Sequence, residues 1–257
     1  MAPQILIIKT GTTIQSLLQQ GQDFECWFRS GMGLAASNAP VCNLYQGEPL
    51  PALENIDGIV ITGSPAYVTD LAPWNQVGAD YLRAAHDCGI PILGVCYGHQ
   101  LLAWGFGGTV DFHPGGREIG TVPIELTAAA AQDPLFAGLP SRFKAQVSHL
   151  QSVIERPQQA VLLAGNDFEV NHAFRLGETT WCVQFHPEFS AEITRAYIRQ
   201  RAVDIAKEGL DPDKLLEATE ETETASSLLL RFVDIVQYRK AGDQSPPTSA
   251  NSSSTTS

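Results

Sequence analysis

Three short runs of continuous apolar residues lie in the first hundred positions: Ile5 to Ile8, Gly58 to Ile61 and Pro91 to Val95. Each ends at glycine, threonine or another turn-prone residue, and none alternates with polar positions. Strands that are apolar throughout are buried on both faces. Between them the apolar spacing becomes helical, at Ile14, Leu17 and Leu18 and again at Trp74, Val77, Tyr81, Leu82 and Ala85. Strand alternating with helix predicts an α/β chain with a doubly wound parallel sheet.

The pattern then changes. Runs around Val122 to Leu126, Phe143 to Val147, Val161 to Ala164 and Trp181 to Phe185 are punctuated by glycine, proline and aspartate and read as further strands, some antiparallel. Ser190 is placed to cap a helix carrying Ile193, Ala196, Tyr197 and Ile198. Asp211-Pro212 starts a short helix, and Ser226 to Tyr238 has the amphipathic spacing of a helix docked on the chain's own surface. These features divide the chain into a main domain over 1–206, a helical extension over 207–240 and a tail over 241–257. The tail is too poor in apolar residues to offset its ordering entropy and is expected to be disordered.

Composition narrows the function. The 257 residues carry a formal charge of −12, and lysine and arginine are scattered apart from Arg239-Lys240. No basic stripe is present to displace counterions from phosphates, so no nucleic-acid partner is expected. No stretch of about 18 apolar residues occurs and no basic segment precedes an apolar run at the N-terminus, so neither a membrane partner nor secretion is expected. The five cysteines, Cys26, Cys42, Cys88, Cys96 and Cys182, are odd in number and widely spaced. They read as reduced thiols of a cytoplasmic protein.

One cysteine stands in a distinctive setting. Pro91 to Gln100 reads as a buried strand running through Gly94-Val95-Cys96-Tyr97-Gly98 into a helix at Leu101. This is the cysteine form of a nucleophile elbow, a turn so tight that side chains two positions either side of the nucleophile would clash. A thiol at a helix N-terminus is favoured as thiolate. The plainer alternative is a small core residue at a glycine-rich turn. A second strand, Trp181 to Phe185, stops before Pro187 and puts His186 at its end. Thiolate chemistry needs an imidazole to move the proton, and Glu188 is close enough to orient it. A solvent-facing histidine and a helix N-terminal glutamate are the alternatives. Cys182 and His186 share a strand face, but no further cysteine or histidine completes a metal site.

The two motifs together, Gly94 to Gln100 (GVCYGHQ) and Val183 to Glu188 (VQFHPE), resemble the class I glutamine amidotransferases, and most of all their free-standing, GMP-synthetase-glutaminase-like members. The resemblance runs from about residue 4 to about residue 200. It implies a flavodoxin-like, mostly parallel sheet with extra antiparallel strands. It also implies that Cys96 attacks the glutamine side-chain amide, that His186 protonates departing ammonia, that Glu188 orients His186, and that water hydrolyses the γ-glutamyl thioester. The implied oxyanion donors are the backbone N–H groups of Tyr97 and Gly63. Gln100 and the loop Ser148-His149-Leu150-Gln151 match positions that hold the substrate's α-amino and carboxylate groups, although many relatives have glycine where Leu150 stands. His86, His113 and His172 match no motif and are expected to be structural or exposed, and His113 to Glu118 is expected to turn near the site rim.

No cofactor or metal is called for. Neither a Gly-x-x-x-x-Gly-Lys nor a Ser-Gly-Gly-x-Asp-Ser loop is present, and too few residues follow Gly209 for an ATP-dependent domain. The chain is therefore expected to act on glutamine or another γ-glutamyl compound, either feeding ammonia to a separate synthetase or as a stand-alone γ-glutamyl peptide or amide hydrolase. A catalytically silent regulatory module on the same fold, or a related cysteine peptidase or stress protein, are the remaining alternatives.

Overall fold

A computed structural model describes residues 2–242; most of the expected disordered tail lies outside them. The strands are β1 (Ile5–Lys9), β2 (Val41–Asn43), β3 (Gly58–Ile61), β4 (Ile92–Val95), β5 (Thr109–Phe112), β6 (Glu118–Leu126), β7 (Arg142–His149), β8 (Gln151–Glu155), β9 (Val161–Gly165), β10 (Ala173–Leu176) and β11 (Thr180–Val183). The helices are α1 (Gln15–Leu18), α2 (Phe24–Met32), α3 (Pro73–Asp87), α4 (Tyr97–Gly105), α5 (Ala191–Gln200), α6 (Ala202–Lys207), α7 (Pro212–Ala218) and α8 (Glu223–Lys240).

Nine strands form one sheet in the order β2-β1-β3-β4-β11-β10-β9-β6-β7, and β5 pairs with β8 separately. The first five are mutually parallel; the pairings from β11 onward are antiparallel. This is the expected flavodoxin-like arrangement with added antiparallel strands. The continuous apolar runs are explained by cover on both faces. Ile5, Ile7, Val60, Leu93 and Val95 pack with α2, α5 and α8, whereas Leu6, Ile8, Ile59, Ile61 and Ile92 pack with α3 and α4.

Local signals set the helices. Ser190 caps α5 by accepting from Ile193 N–H at 3.3 Å, as its position predicted. The helical spacing at Ile14 to Leu18 yields only the single turn of α1. The longer α2, which that spacing does not reveal, is bracketed by Asp23, accepting from Phe24 N–H, and by Gly33 at φ 63°. The strand expected through Phe185 ends at Val183, because Pro187 follows and His186 pairs with Gln146 as a lone bridge. At the C-terminal side, α8 buries Leu228, Leu229, Phe232 and Val236. Its close approach depends on two glycines: a Cβ on Gly31 would meet Leu229 Cδ1 at 2.3 Å, and one on Gly58 would meet Val236 Cγ2 at 2.7 Å.

Among the described residues, no helix is long and apolar enough to cross a membrane.

Candidate active site at the strand ends

The site grows from three neighbouring strand ends. β4 passes directly into α4 through Cys96, held at φ 52° and ψ −100°. Positive φ at a side-chain-bearing residue costs about 1–3 kcal/mol and persists only where surrounding structure imposes it. Here Cys96 N–H donates to Val183 O at 2.9 Å and Gly98 N–H to Thr62 O at 3.2 Å, fastening the turn to β11 on one side and to the end of β3 on the other. The flanking glycines are obligatory. A Cβ on Gly94 would lie 2.7 Å from Gly98 O, and one on Gly98 would lie 2.7 Å from both Cβ and O of Ile61.

Beyond β11, His186 N–H donates to Gln146 O at 2.8 Å, which fixes the backbone although the strand has ended. The imidazole Nδ1 donates to Glu188 Oε1 at 2.7 Å, with both side chains buried. That bond sets the tautomer and leaves Nε2 for Cys96. Phe189 stacks on the imidazole, centroids 3.9 Å apart and planes 13° apart, so the ring cannot swing out without losing that contact. Burial alone would lower the His186 pKa, but the Glu188 carboxylate and the Cys96 sulfur lift it to about 10. The imidazole therefore holds a proton readily and can give it to a basic leaving group.

Gly63, just past β3, completes the cluster. A Cβ there would sit 3.0 Å from His186 Cε1, so only glycine lets this loop approach the imidazole without displacing it. Tyr97 contributes as the first residue of α4, where backbone N–H groups lack helical partners. Its side chain turns away and donates to Asn75 Oδ1 at 2.6 Å.

The residues matched to substrate recognition are gathered beside Cys96, but several of their polar atoms are engaged. Gln100 Nε2 donates to Gln151 O at 2.7 Å and Gln184 Oε1 at 2.9 Å. The Gln151 side chain accepts from Val68 N–H at 3.1 Å and donates to Thr69 Oγ1 at 2.6 Å. His149 contacts Glu118 Oε2 at 2.9 Å and Gln151 O at 3.1 Å. Glu118 also meets His172 Nε2 at 3.2 Å. Burial would raise the Glu118 pKa, but the two imidazoles hold it well below the usual carboxylate range. His172 is thus a buried structural residue, while His86 and His113 bond to Thr180 Oγ1 and Gly115 N–H.

A family profile for "Glutamine amidotransferase class-I" matches residues 35–205, more than half of the chain. The chain belongs to the class I glutamine amidotransferases. It is 34% identical over 182 residues to the GMP synthase [glutamine-hydrolyzing] of Porphyromonas gingivalis, a match that covers 69% of this chain and 34% of that protein. The chain thus spans about a third of the length of that relative. One subunit of the GMP synthase [glutamine-hydrolyzing] of Methanopyrus kandleri is 32% identical over 185 residues, covering 72% of this chain and 88% of the relative. A glutamine amidotransferase structure from Thermotoga maritima superposes with a TM-score of 0.70 at 22% identity, covering 91% of this chain and 96% of the other, and supports the fold.

In this amidotransferase the space around Cys96 divides into two small lobes. One, of about 60 Å³, is walled by Tyr67, Gln100, Ser148, His149 and Leu150, with Arg117 at its edge, where the expected turn reaches the rim. The other, of about 80 Å³, is walled by Thr13, Ile14, Phe24, His186 and Tyr197. Cys96, Ser64, Pro65, Ser148 and Arg201 border both. A wider hollow of about 860 Å³ between α1, α2 and α5 reaches the back of Glu188 but not Cys96. Motif reading missed Arg201, which follows α5. Its signal was available: it lies four positions after Tyr197 and three after Ile198, continuing the stripe that α5 buries.

Proposed function

We propose that the protein is a glutaminase of the amidotransferase type, which hydrolyses the glutamine side-chain amide through a γ-glutamyl thioester on Cys96 and releases ammonia. The observation that carries this reading is the strained Cys96 at the start of α4 facing the buried His186–Glu188 pair. Cys96 Sγ attacks the side-chain carbonyl carbon. The backbone N–H groups of Gly63 and Tyr97 receive the charge that develops on its oxygen, each such donor being worth about 3 kcal/mol. His186 protonates the departing ammonia, then takes a proton from water as that water attacks the thioester. Glutamate leaves, and Cys96 and His186 return to their starting state.

The M. kandleri relative is named as one subunit of a glutamine-hydrolysing GMP synthase. That name supports a separate ammonia-accepting synthetase as partner. A second reading, hydrolysis of substituted γ-glutamyl amides or peptides, is favoured by the lobe beside His186. A leaving amine must depart toward the group that protonates it, and about 80 Å³ there exceeds the roughly 10–15 Å³ that one water needs on the same kind of measure.

The test is ammonia or amine release from glutamine and from a panel of γ-glutamyl amides and peptides, with Cys96→Ser as control. Turnover of glutamine, rising when a synthetase is added, supports the first reading. Strong preference for substituted amides supports the second. Equal activity in Cys96→Ser would overturn both.

A further inference from the structure

Among the described residues, one strong donor of the two lobes has no acid beside it. The amide nitrogen of Gln100, the amide of Gln151 and both ring nitrogens of His149 are engaged by protein groups. Arg117 is bound in a two-pronged pair to Glu208, at 2.7 and 2.9 Å. Arg201 differs. It donates from Nη1 to Ser148 Oγ at 2.8 Å and lies over the Tyr197 ring with its central carbon 5.0 Å from the centroid. No carboxylate lies within ion-pair distance of it among the described residues.

A guanidinium has five N–H donors in a fixed fork, and these two contacts fix its plane while leaving most of the fork unused. The setting makes this costly. Arg201 is half-buried, and burial, with the Arg117 cation adding to it, pushes its pKa down from the ordinary value. A desolvated cation is retained where something pairs with it. In a chain of formal charge −12, the walls of both lobes nevertheless contain no aspartate or glutamate and two arginines, one already neutralised by Glu208. The fork borders the same space as Cys96.

We propose that Arg201 is the carboxylate anchor of the site, receiving the α-carboxylate of the γ-glutamyl group while Ser148 and Tyr197 hold the guanidinium in place. The assignment rests on the proposed amide hydrolysis and adds to it a requirement for a free α-carboxylate. Arg201 is a binding residue. Its contribution is to position the side-chain carbonyl over the sulfur, so its loss falls mainly on KM.

The experiment compares wild type, Arg201→Met and Arg201→Lys by steady-state kinetics, with thermal melting to confirm folding. The substrates are whichever γ-glutamyl compound turns over, its α-amidated counterpart, and a γ-glutamyl dipeptide amidated at its C-terminus. Arg201→Met is expected to raise KM for the free α-carboxylate substrate by about 30- to 100-fold, with kcat within about threefold. Arg201→Lys should recover part of that loss. On the α-amide, wild type should already bind poorly and Arg201→Met should change KM by less than about threefold. On the C-terminally amidated dipeptide the full penalty should persist.

Equal losses with and without the α-carboxylate would make Arg201 merely structural and overturn the assignment. So would an unchanged KM, or a penalty that vanishes only when the leaving residue is amidated. If Arg201→Met does not fold, Arg201→Lys carries the same comparison. A wild type that turns over no γ-glutamyl compound, and whose Cys96 is not labelled by an electrophilic glutamine analogue, would instead sink the functional reading beneath it. Labelling and turnover with an indifferent Arg201 would sink only the anchor.

Discussion

The parallel and antiparallel halves of the sheet are built for different work. In the parallel half β1, β3, β4 and β11 are buried along their whole length, and the reactive candidates appear only where the strands stop: Gly63 after β3, Cys96 after β4 and His186 after β11. In the antiparallel half polar groups are buried within or beside the strands. Gln146 bonds to the His186 backbone, and Glu118 is clasped by His149 and His172. Parallel strands all deliver their carboxyl ends to one edge, which concentrates unusual backbone geometry there. The antiparallel strands supply a wall. If this division is right, substitutions in the first half should act on turnover and those in the second on stability.

The largest effect is expected from His186→Asn, which removes the proton carrier. Turnover of the best substrate should fall by roughly 10⁴-fold or more, and the melting temperature should also fall because the buried Glu188 loses its partner. Glu188→Gln keeps the shape but not the charge, and should cost roughly 10²- to 10⁴-fold in kcat. It should also change the alkaline limb of stability. The folded pKa of His186, about 10, lies above its unfolded value. Its contribution is therefore complete below about pH 6.5 and is lost as pH rises through the folded value. Melting curves between pH 6.5 and 10 should be flatter for Glu188→Gln than for wild type.

Gly98→Ala crosses between the two kinds of effect. Its methyl group meets backbone as well as side chain at Ile61, and should cost about 1–3 kcal/mol of unfolding free energy while displacing the elbow. The smallest effect on catalysis is expected from Glu118→Gln: less than about tenfold in kcat/KM, with about 1–3 kcal/mol lost in denaturant melts. The sign of its pH dependence is opposite. A carboxyl whose folded pKa is depressed contributes stability above about pH 4.3, lost as pH falls through the folded value. Acid unfolding should therefore be less steep in the variant. Loss of turnover from Glu118→Gln matching that from Glu188→Gln would erase the distinction between the halves.

The same contrast explains what could be read in the sequence. The elbow around Cys96 is legible because its constraint is local: two glycines, a buried strand before and a helix after. His186 and Glu188 are legible because proline ends the strand beside them. The strand β2 has only three residues, and β5, β8 and β10 mix polar with apolar positions and so lack the continuous apolar run that marks β1, β3 and β4; their pairing depends on distant segments. The α5 stripe marks Arg201 only as a residue that packs inward; its bond to Ser148, 53 positions earlier, is a relation no local window contains. The clasp of Glu118 by His149 and His172 likewise joins three separate stretches.

The glycine seats for α8 have a practical consequence for anyone drawing boundaries on this chain. The family profile ends at residue 205, which makes the segment after it look dispensable. Yet Leu228, Leu229, Phe232 and Val236 are fully shielded, and each such side chain contributes about 1.5–3 kcal/mol when withdrawn from water. Together that is comparable to the about 5–15 kcal/mol net stability of an ordinary domain. A clone cut at the profile's edge would display an oily trough floored by Gly31 and Gly58 and should precipitate on expression. Homologues lacking this helix would need bulkier residues at those two positions, which makes them a marker for tracing where the helix was gained or lost.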